Sequence, residues 1–234
     1  MFTYLSEPRT IEGPEGTGVH HLLADRTLSF AEFSFSGTVI VEVTKLFGTK
    51  AHAIEISPKA YGINPIYFDG YTVRFLLDRW RYVSVNFITA DNKDWDGSYG
   101  YDIKHGMMVF ADPPEKDAPE LTDPGVIEYG QPGWNDADTI FFCPAKDYNL
   151  NGHLALTKHG QHVYIAGGAL VRGGLDCRKL TGIKIRGRGV ITMKDHPWQV
   201  PRFPIIVHLE GVYRGLVEGI VVTQSTHTLG LAQQ

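Results

Sequence analysis

Only two cysteines, Cys143 and Cys177, occur in the 234 residues. Two are too few for a disulfide framework and are not spaced as metal ligands, so neither a cystine-stapled scaffold nor a zinc module is expected. The sequence leaves their pairing open. Long apolar runs are also missing: no stretch approaches the roughly 18 residues of a membrane span. Met1-Phe-Thr-Tyr lacks the charged and apolar regions of a signal peptide. Charge is sparse at 21%, with 22 Lys plus Arg against 26 Asp plus Glu, and no five like charges stand together. Nucleic-acid and anionic-membrane partners are therefore disfavoured. Helical periodicity is absent too, since no window carries apolar residues at i, i+3, i+4 and i+7, and helix content should be low.

What is present is the raw material of a β protein. Hydrophobic residues make up 43% and aromatics 12%, enough to bury a sizeable core and to exclude disorder. Twenty-six glycines and 13 prolines punctuate short runs rich in Val, Ile, Phe, Tyr and Thr, which read as strands. Phe33 and Phe35 alternate with serines, and Val39, Val41 and Val43 with Ile40, Glu42 and Thr44. Ile54 and Ile56 enclose Glu55 before Pro58 stops the run; Val73, Phe75 and Leu77, then Val83, Val85 and Phe87, keep the period of two. From about Thr27 to Phe142 such runs recur with turn signals between them, the pattern of an antiparallel sandwich. Glu115 to Asp138, rich in Pro, Gly and acidic residues, reads as a long surface loop broken by a short strand at Val126 and Ile127, and as the natural place for a hinge.

After about Asn149 the pattern becomes repetitive. Val163-Tyr-Ile-Ala-Gly167 is echoed by Ile183-Lys-Ile-Arg-Gly187 and more weakly by Val217-Glu-Gly219, placing the shared glycines 20 and then 32 residues apart. β-rich units recurring at such spacings, with glycine at the corners, point to a parallel β-helix. Each coil has an apolar inner face that it cannot bury alone, so neighbours must stack. The expectation is an all-β chain of two domains, an N-terminal antiparallel β-sandwich over 1–147 and the first coils of a β-helix over 148–234. The last repeats stop at Leu229-Gly-Leu231 with no cap following, which predicts a truncated stack, the front part of a longer protein.

Gln161 to Leu175, followed by Gly182 to Ile191, resembles the opening of the right-handed parallel β-helix in pectin-lyase-like glycoside hydrolases. That group includes the polygalacturonase type (family 28) and the dextranase and isopullulanase type (family 49). Thr139 to Tyr148 is similar to their strand leading into the helix, and Ile56 to Gly70 with Met107 to Pro113 to their N-terminal sandwich. The resemblance implies a polysaccharide-degrading glycoside hydrolase, cleaving O-glycosidic bonds with paired carboxylates on later coils. It implies a polysaccharide substrate, no cofactor, and a secreted or periplasmic location. The Asp-Asp, Gly-His-Gly and Arg-x-Lys motifs of polygalacturonases are absent, and Asn92-Lys-Asp94 lies in the sandwich. No catalytic residue is carried over, and the chain alone is expected to be inactive. The alternatives are a non-catalytic carbohydrate-binding or scaffolding module and a β-helix polysaccharide lyase.

Hydrolysis needs two carboxyl groups flanking the scissile bond. Asp176, Asp195, Glu210 and Glu218 are on offer, and each reads as a solvated coil-face residue outside any recognisable pair. The substrate-binding candidates are Trp198, to stack on a sugar ring or to pack its loop onto the coil wall, and Arg202, to reach a hydroxyl or carboxylate. The third is His227, where related hydrolases often carry an aromatic residue. His153, His159 and His162 lack a companion Cys or carboxylate at ligand spacing, and no metal site is expected. Asn92, Asp94, Asp96 and Gly97 imitate a calcium loop, but Ile103 stands where the bidentate glutamate belongs, so a hairpin is the better account. Arg186 and Arg188 alternate on one strand face, expected to be solvated.

Overall fold

The computed structural model describes residues 10–11, 20–21, 28–90, 105–193, 195 and 205–223. The chain forms two compact units, Met1–Lys116 and Asp117–Gln234. Among the described residues there is no α-helix, only short 3₁₀ turns at Lys59–Tyr61 and Trp134–Asp136, so the all-β expectation holds. No helix among them is long and apolar enough to cross a membrane.

The first unit opens with a two-residue antiparallel pair, β1 (Thr10–Ile11) with β2 (His20–His21). Seven further strands follow: β3 (Leu28–Ser34), β4 (Val39–Thr44), β5 (Ala53–Ser57), β6 (Pro65–Phe68), β7 (Thr72–Leu77), β8 (Arg81–Ile88) and β9 (Gly106–Asp112). They form a four-stranded sheet in the order β3-β9-β8-β5 and a three-stranded sheet β4-β7-β6. The period of two read in the sequence is the inside–outside alternation of these strands. Val73, Phe75 and Leu77 of one sheet and Val83, Val85 and Phe87 of the other are almost fully buried and share one core with Val43, Ile56 and Val109. Each such side chain contributes about 1.5–3 kcal/mol on burial. The sandwich is antiparallel with one exception, since β3 runs parallel to β9 from Leu28↔Gly106 to Ser34↔Asp112. Parallel neighbours need a long crossover, and here the rest of the sandwich supplies it.

The second unit is a parallel β-helix. One wall stacks β10 (Val126–Glu128), β11 (Thr139–Phe142), β13 (His162–Ile165), β15 (Lys184–Gly187) and β18 (Leu216–Glu218), all parallel. The next wall stacks β12 (Asp147–Leu156), β14 (Leu170–Arg178), β16 (Val190–Thr192) and β19 (Val221–Thr223). Strands β12 and β14 bend at Gly152 and Gly173, both at φ 131°, and a β-bulge there lets each strand serve two walls. In the following coil the same two walls are built by separate strands, β16 and β17 (Val207–Glu210), both paired with β14. Inward positions Phe142, Ile165, Val171, Leu175, Ile185 and Ile191 are 0% exposed and fill the bore.

Three expectations are corrected. The ladder begins upstream of residue 148: Thr139↔His162 and Val126↔Thr139 are register partners, and the division between units falls at Lys116/Asp117. The stretch from Glu115 to Asp138 is thus not a free hinge loop. From Asp117 onward it belongs to the second unit; the short strand expected at Val126 and Ile127 is there as β10, and Tyr129 stacks on Phe142 at 5.1 Å while Trp134 lies 4.5 Å from Tyr129. Finally, the true partners are Val163↔Ile185↔Val217, so the first glycine echo stands two residues out of step with the ladder. A two-residue slip keeps every side chain on its original face, and the hydrophobic pattern cannot detect it.

Candidate functional site

Outward-facing residues of β14 and β17 form a polar constellation that joins two coils. Leu175 and Cys177 point into the bore, so Asp176 and Arg178 point out; Val207 likewise alternates with His208 and Glu210. Register pairing sets Asp176 beside His208 and Arg178 beside Glu210, while on the other flank Ala155 offers Asp176 only a methyl group.

The Asp176 carboxylate accepts Arg178 Nε at 3.0 Å on both oxygens and His208 Nδ1 at 2.8 Å. Arg178 also reaches Glu210 at 3.2 Å, and His208 Nε2 lies 3.9 Å from the same Glu210 oxygen. Burial pushes the Asp176 carboxyl upward, but the donated bonds from Arg178 and His208 outweigh it and hold the group below the usual carboxylate range. Asp176 is therefore an ionised acceptor that orients the imidazole. It is unsuited to be the acid of glycoside hydrolysis, which needs a raised pKa.

Two further groups tie coils together. Arg172 on β14 bridges Asp147 of the preceding coil at 2.7 Å and Asp195 of the following one at 2.8 Å. Glu128 accepts Lys146 Nζ at 2.5 Å and Tyr148 Oη at 2.7 Å, and these bonds lower its carboxyl pKa. Tyr148 Oη in turn accepts the Cys143 amide at 2.9 Å.

The sequence candidates are placed as follows. Trp198, Arg202 and His227 lie outside the described residues, as do Asn92, Asp94, Asp96 and Gly97. Asp195 is exposed and paired with Arg172, and Glu218 is exposed. Asp176 and Glu210, read as isolated solvated carboxylates, are instead brought together through Arg178 and His208. Neither of those partners was singled out in the sequence, although the 32-residue echo carries Asp176 onto His208 and Arg178 onto Glu210. The three histidines stay apart in role: His153 Nε2 donates to the Ile205 carbonyl at 2.8 Å, and His159 Nδ1 accepts the Thr181 amide at 3.0 Å. Burial, aided by Arg186 and Lys184, lowers His162 to about 4. No group of three His, Cys, Asp or Glu among the described residues could hold a metal ion. Arg186 and Arg188 are half-buried rather than a solvated stripe, and Arg186 donates to the Asp117 carbonyl at 3.2 Å. Both cysteines are free and buried.

No family model matches the chain, and no curated protein matches it. Among solved structures the chain is similar to Dex49A from Penicillium minioluteum, with a TM-score of 0.68 at 16% sequence identity. The match covers 86% of this chain and 44% of that one, so the chain spans less than half the length of that protein. The likeness is one of fold, in keeping with the parallel β-helix expected from the sequence.

Proposed function

We propose that this chain is the N-terminal part of a polysaccharide-degrading glycoside hydrolase of the dextranase and isopullulanase type, acting outside the cytoplasm in a secreted or periplasmic setting. The reading is carried by one observation: a parallel β-helix whose fold follows Dex49A over 86% of the chain. In this reading one carboxylic acid protonates the glycosidic oxygen while a second carboxylate activates water or attacks the sugar. The described carboxylates that face one another are committed to basic or hydroxyl partners: Asp176 and Glu210 to Arg178, Asp147 and Asp195 to Arg172, and Glu128 to Lys146 and Tyr148. The catalytic pair is therefore assigned to later coils, and the outer face of β14 and β17 to bracing the wall on which they stand.

The test is release of reducing ends from dextran, pullulan, pectin and rhamnogalacturonan. The 234-residue chain should release none, and a form carrying further coils should act on a neutral glucan. An unsaturated sugar product would instead mark a lyase and overturn the hydrolase reading. Release by the 234-residue chain itself would overturn the placement of the carboxylates.

A further inference from the structure

The sandwich has surface features that its core does not require. Strand β7 belongs to the three-stranded sheet and β8 to the four-stranded one, so the chain crosses between sheets at Asp78–Trp80. Around this crossing lie two clefts of about 310 and 300 Å³ that share Tyr61 and Arg81. The first is continued by Ile66, Leu76 and Arg79, the second by Trp80, Tyr82 and Asp112.

The three aromatic rings are exposed, Tyr61 by 39%, Trp80 by 55% and Tyr82 by 52%. Their polar edges are held by the protein: Trp80 Nε1 donates to the Phe35 carbonyl at 2.9 Å, and Tyr82 Oη to Asp112 at 2.7 Å. The Arg81 guanidinium lies 4.2 Å from the Tyr61 ring centre. Ring orientation is thus fixed before any ligand arrives, which removes an ordering cost from binding. Formal charge in the clefts balances, Asp78 and Asp112 against Arg79 and Arg81, and Asp78 already pairs with Arg79 at 3.1 Å.

Fixed exposed aromatic faces flanked by charged hydrogen-bonding groups, with no net charge, match a ligand having apolar C–H faces, many hydroxyls and no ionised group. We propose that the sandwich carries a binding groove for a neutral polysaccharide, centred on Tyr61, Trp80 and Tyr82, with Arg81 donating to sugar hydroxyls. Only the choice of a glucan as occupant rests on the hydrolase reading. The groove holds polymer and performs no chemistry.

The test uses the 234-residue chain in affinity electrophoresis and calorimetry with dextran and pullulan as neutral probes and polygalacturonate as the acidic one. Trp80→Ala and Tyr61→Ala should each weaken binding of the neutral probes at least tenfold, with thermal melts verifying that both variants fold. Trp80→Phe, which keeps a ring but loses the bond to Phe35, should weaken binding less than Trp80→Ala does, and an equal loss overturns the stacking role. Tyr71→Ala, an exposed aromatic lining neither cleft, should bind as the unchanged chain does. Binding within twofold of normal in both alanine variants overturns the groove, as do preference for polygalacturonate and absence of binding to either neutral glucan. Reducing-end release by a form with further coils is read separately, so a failed groove and a failed hydrolase assignment are told apart.

Discussion

Replacing Gly187 by alanine tests the packing of the ladder at its tightest point. Gly187 faces Ile165 of the preceding coil and has a φ of 138°, a conformation that costs a side-chain-bearing residue about 1–3 kcal/mol. A Cβ there would fall on the Ile165 carbonyl oxygen, well inside the 3.0 Å that real Cβ atoms keep. That oxygen accepts two amides, Arg188 and Gly189, each at 2.9 Å. Displacing it forfeits about 0.5–1.5 kcal/mol per bond, so Gly187→Ala should cost about 2–6 kcal/mol. For a unit of this size that lowers the melting temperature by on the order of 10–20 °C. The control is Gly160→Ala, where φ is also positive at 72° but nothing lies within 4 Å of the added carbon. It should cost only about 1 kcal/mol for its backbone conformation. Urea denaturation and calorimetry on the two variants give the comparison, and a difference under about 1 kcal/mol would refute the steric reasoning.

Other outcomes follow from the titratable groups. His162, lowered to about 4 by burial and nearby cations, binds its proton in the unfolded chain first, so stability should hold above about pH 6.5 and fall from there toward pH 4, by at most about 1.4 kcal/mol per pH unit. His162→Gln should flatten that stretch of the melting-temperature curve; an unchanged slope would exclude His162 as its source. Asp176, held ionised by Arg178 and His208, contributes stability above its unfolded pKa of about 3.9 that is lost as pH falls through its lower folded value. Asp176→Asn should cost about 1–3 kcal/mol at pH 7, with the gap closing in acid, and a cost that persists unchanged below pH 2 would mean that shape rather than charge matters. Burial pushes the Cys177 thiol up to about 12 and raises that of Cys143 as well. Iodoacetamide at pH 8 should therefore leave both untouched until denaturant is added, and rapid labelling of the native chain would contradict their burial.

Much of this fold was legible because burial writes itself into strands as alternation: Val73, Phe75 and Leu77 declared their inner face without any knowledge of their neighbours. The ladder was legible through the glycine echoes, and the 32-residue spacing was correct. Its companion spacing of 20 was two short on the β13–β15 wall, because inner and outer faces repeat every second residue. Within Glu115 to Asp138 the short strand at Val126 and Ile127 is legible and is β10, but three residues amid Pro, Gly and acidic side chains do not reveal that they pair with β11 and begin the ladder. A further signal of that packing is the pair Tyr129 and Trp134, large apolar rings with no role in a solvated loop. The polar face of β14 and β17 was half-visible. Asp176-x-Arg178 and His208-x-Glu210 each show charge alternating with apolar residues, but a single strand says nothing about which other strand lies beside it. The aromatic groove was hidden for the same reason, since Tyr61 and Trp80 meet only through the crossing between the two sheets.

Because β14 serves as a continuous template for two separate strands of the next coil, β16 and β17 can keep their partners whatever the number of residues between Thr192 and Val207. Insertions or deletions between those two strands leave the register above and below the same. Novelty can accumulate there without renegotiating the wall that supports it.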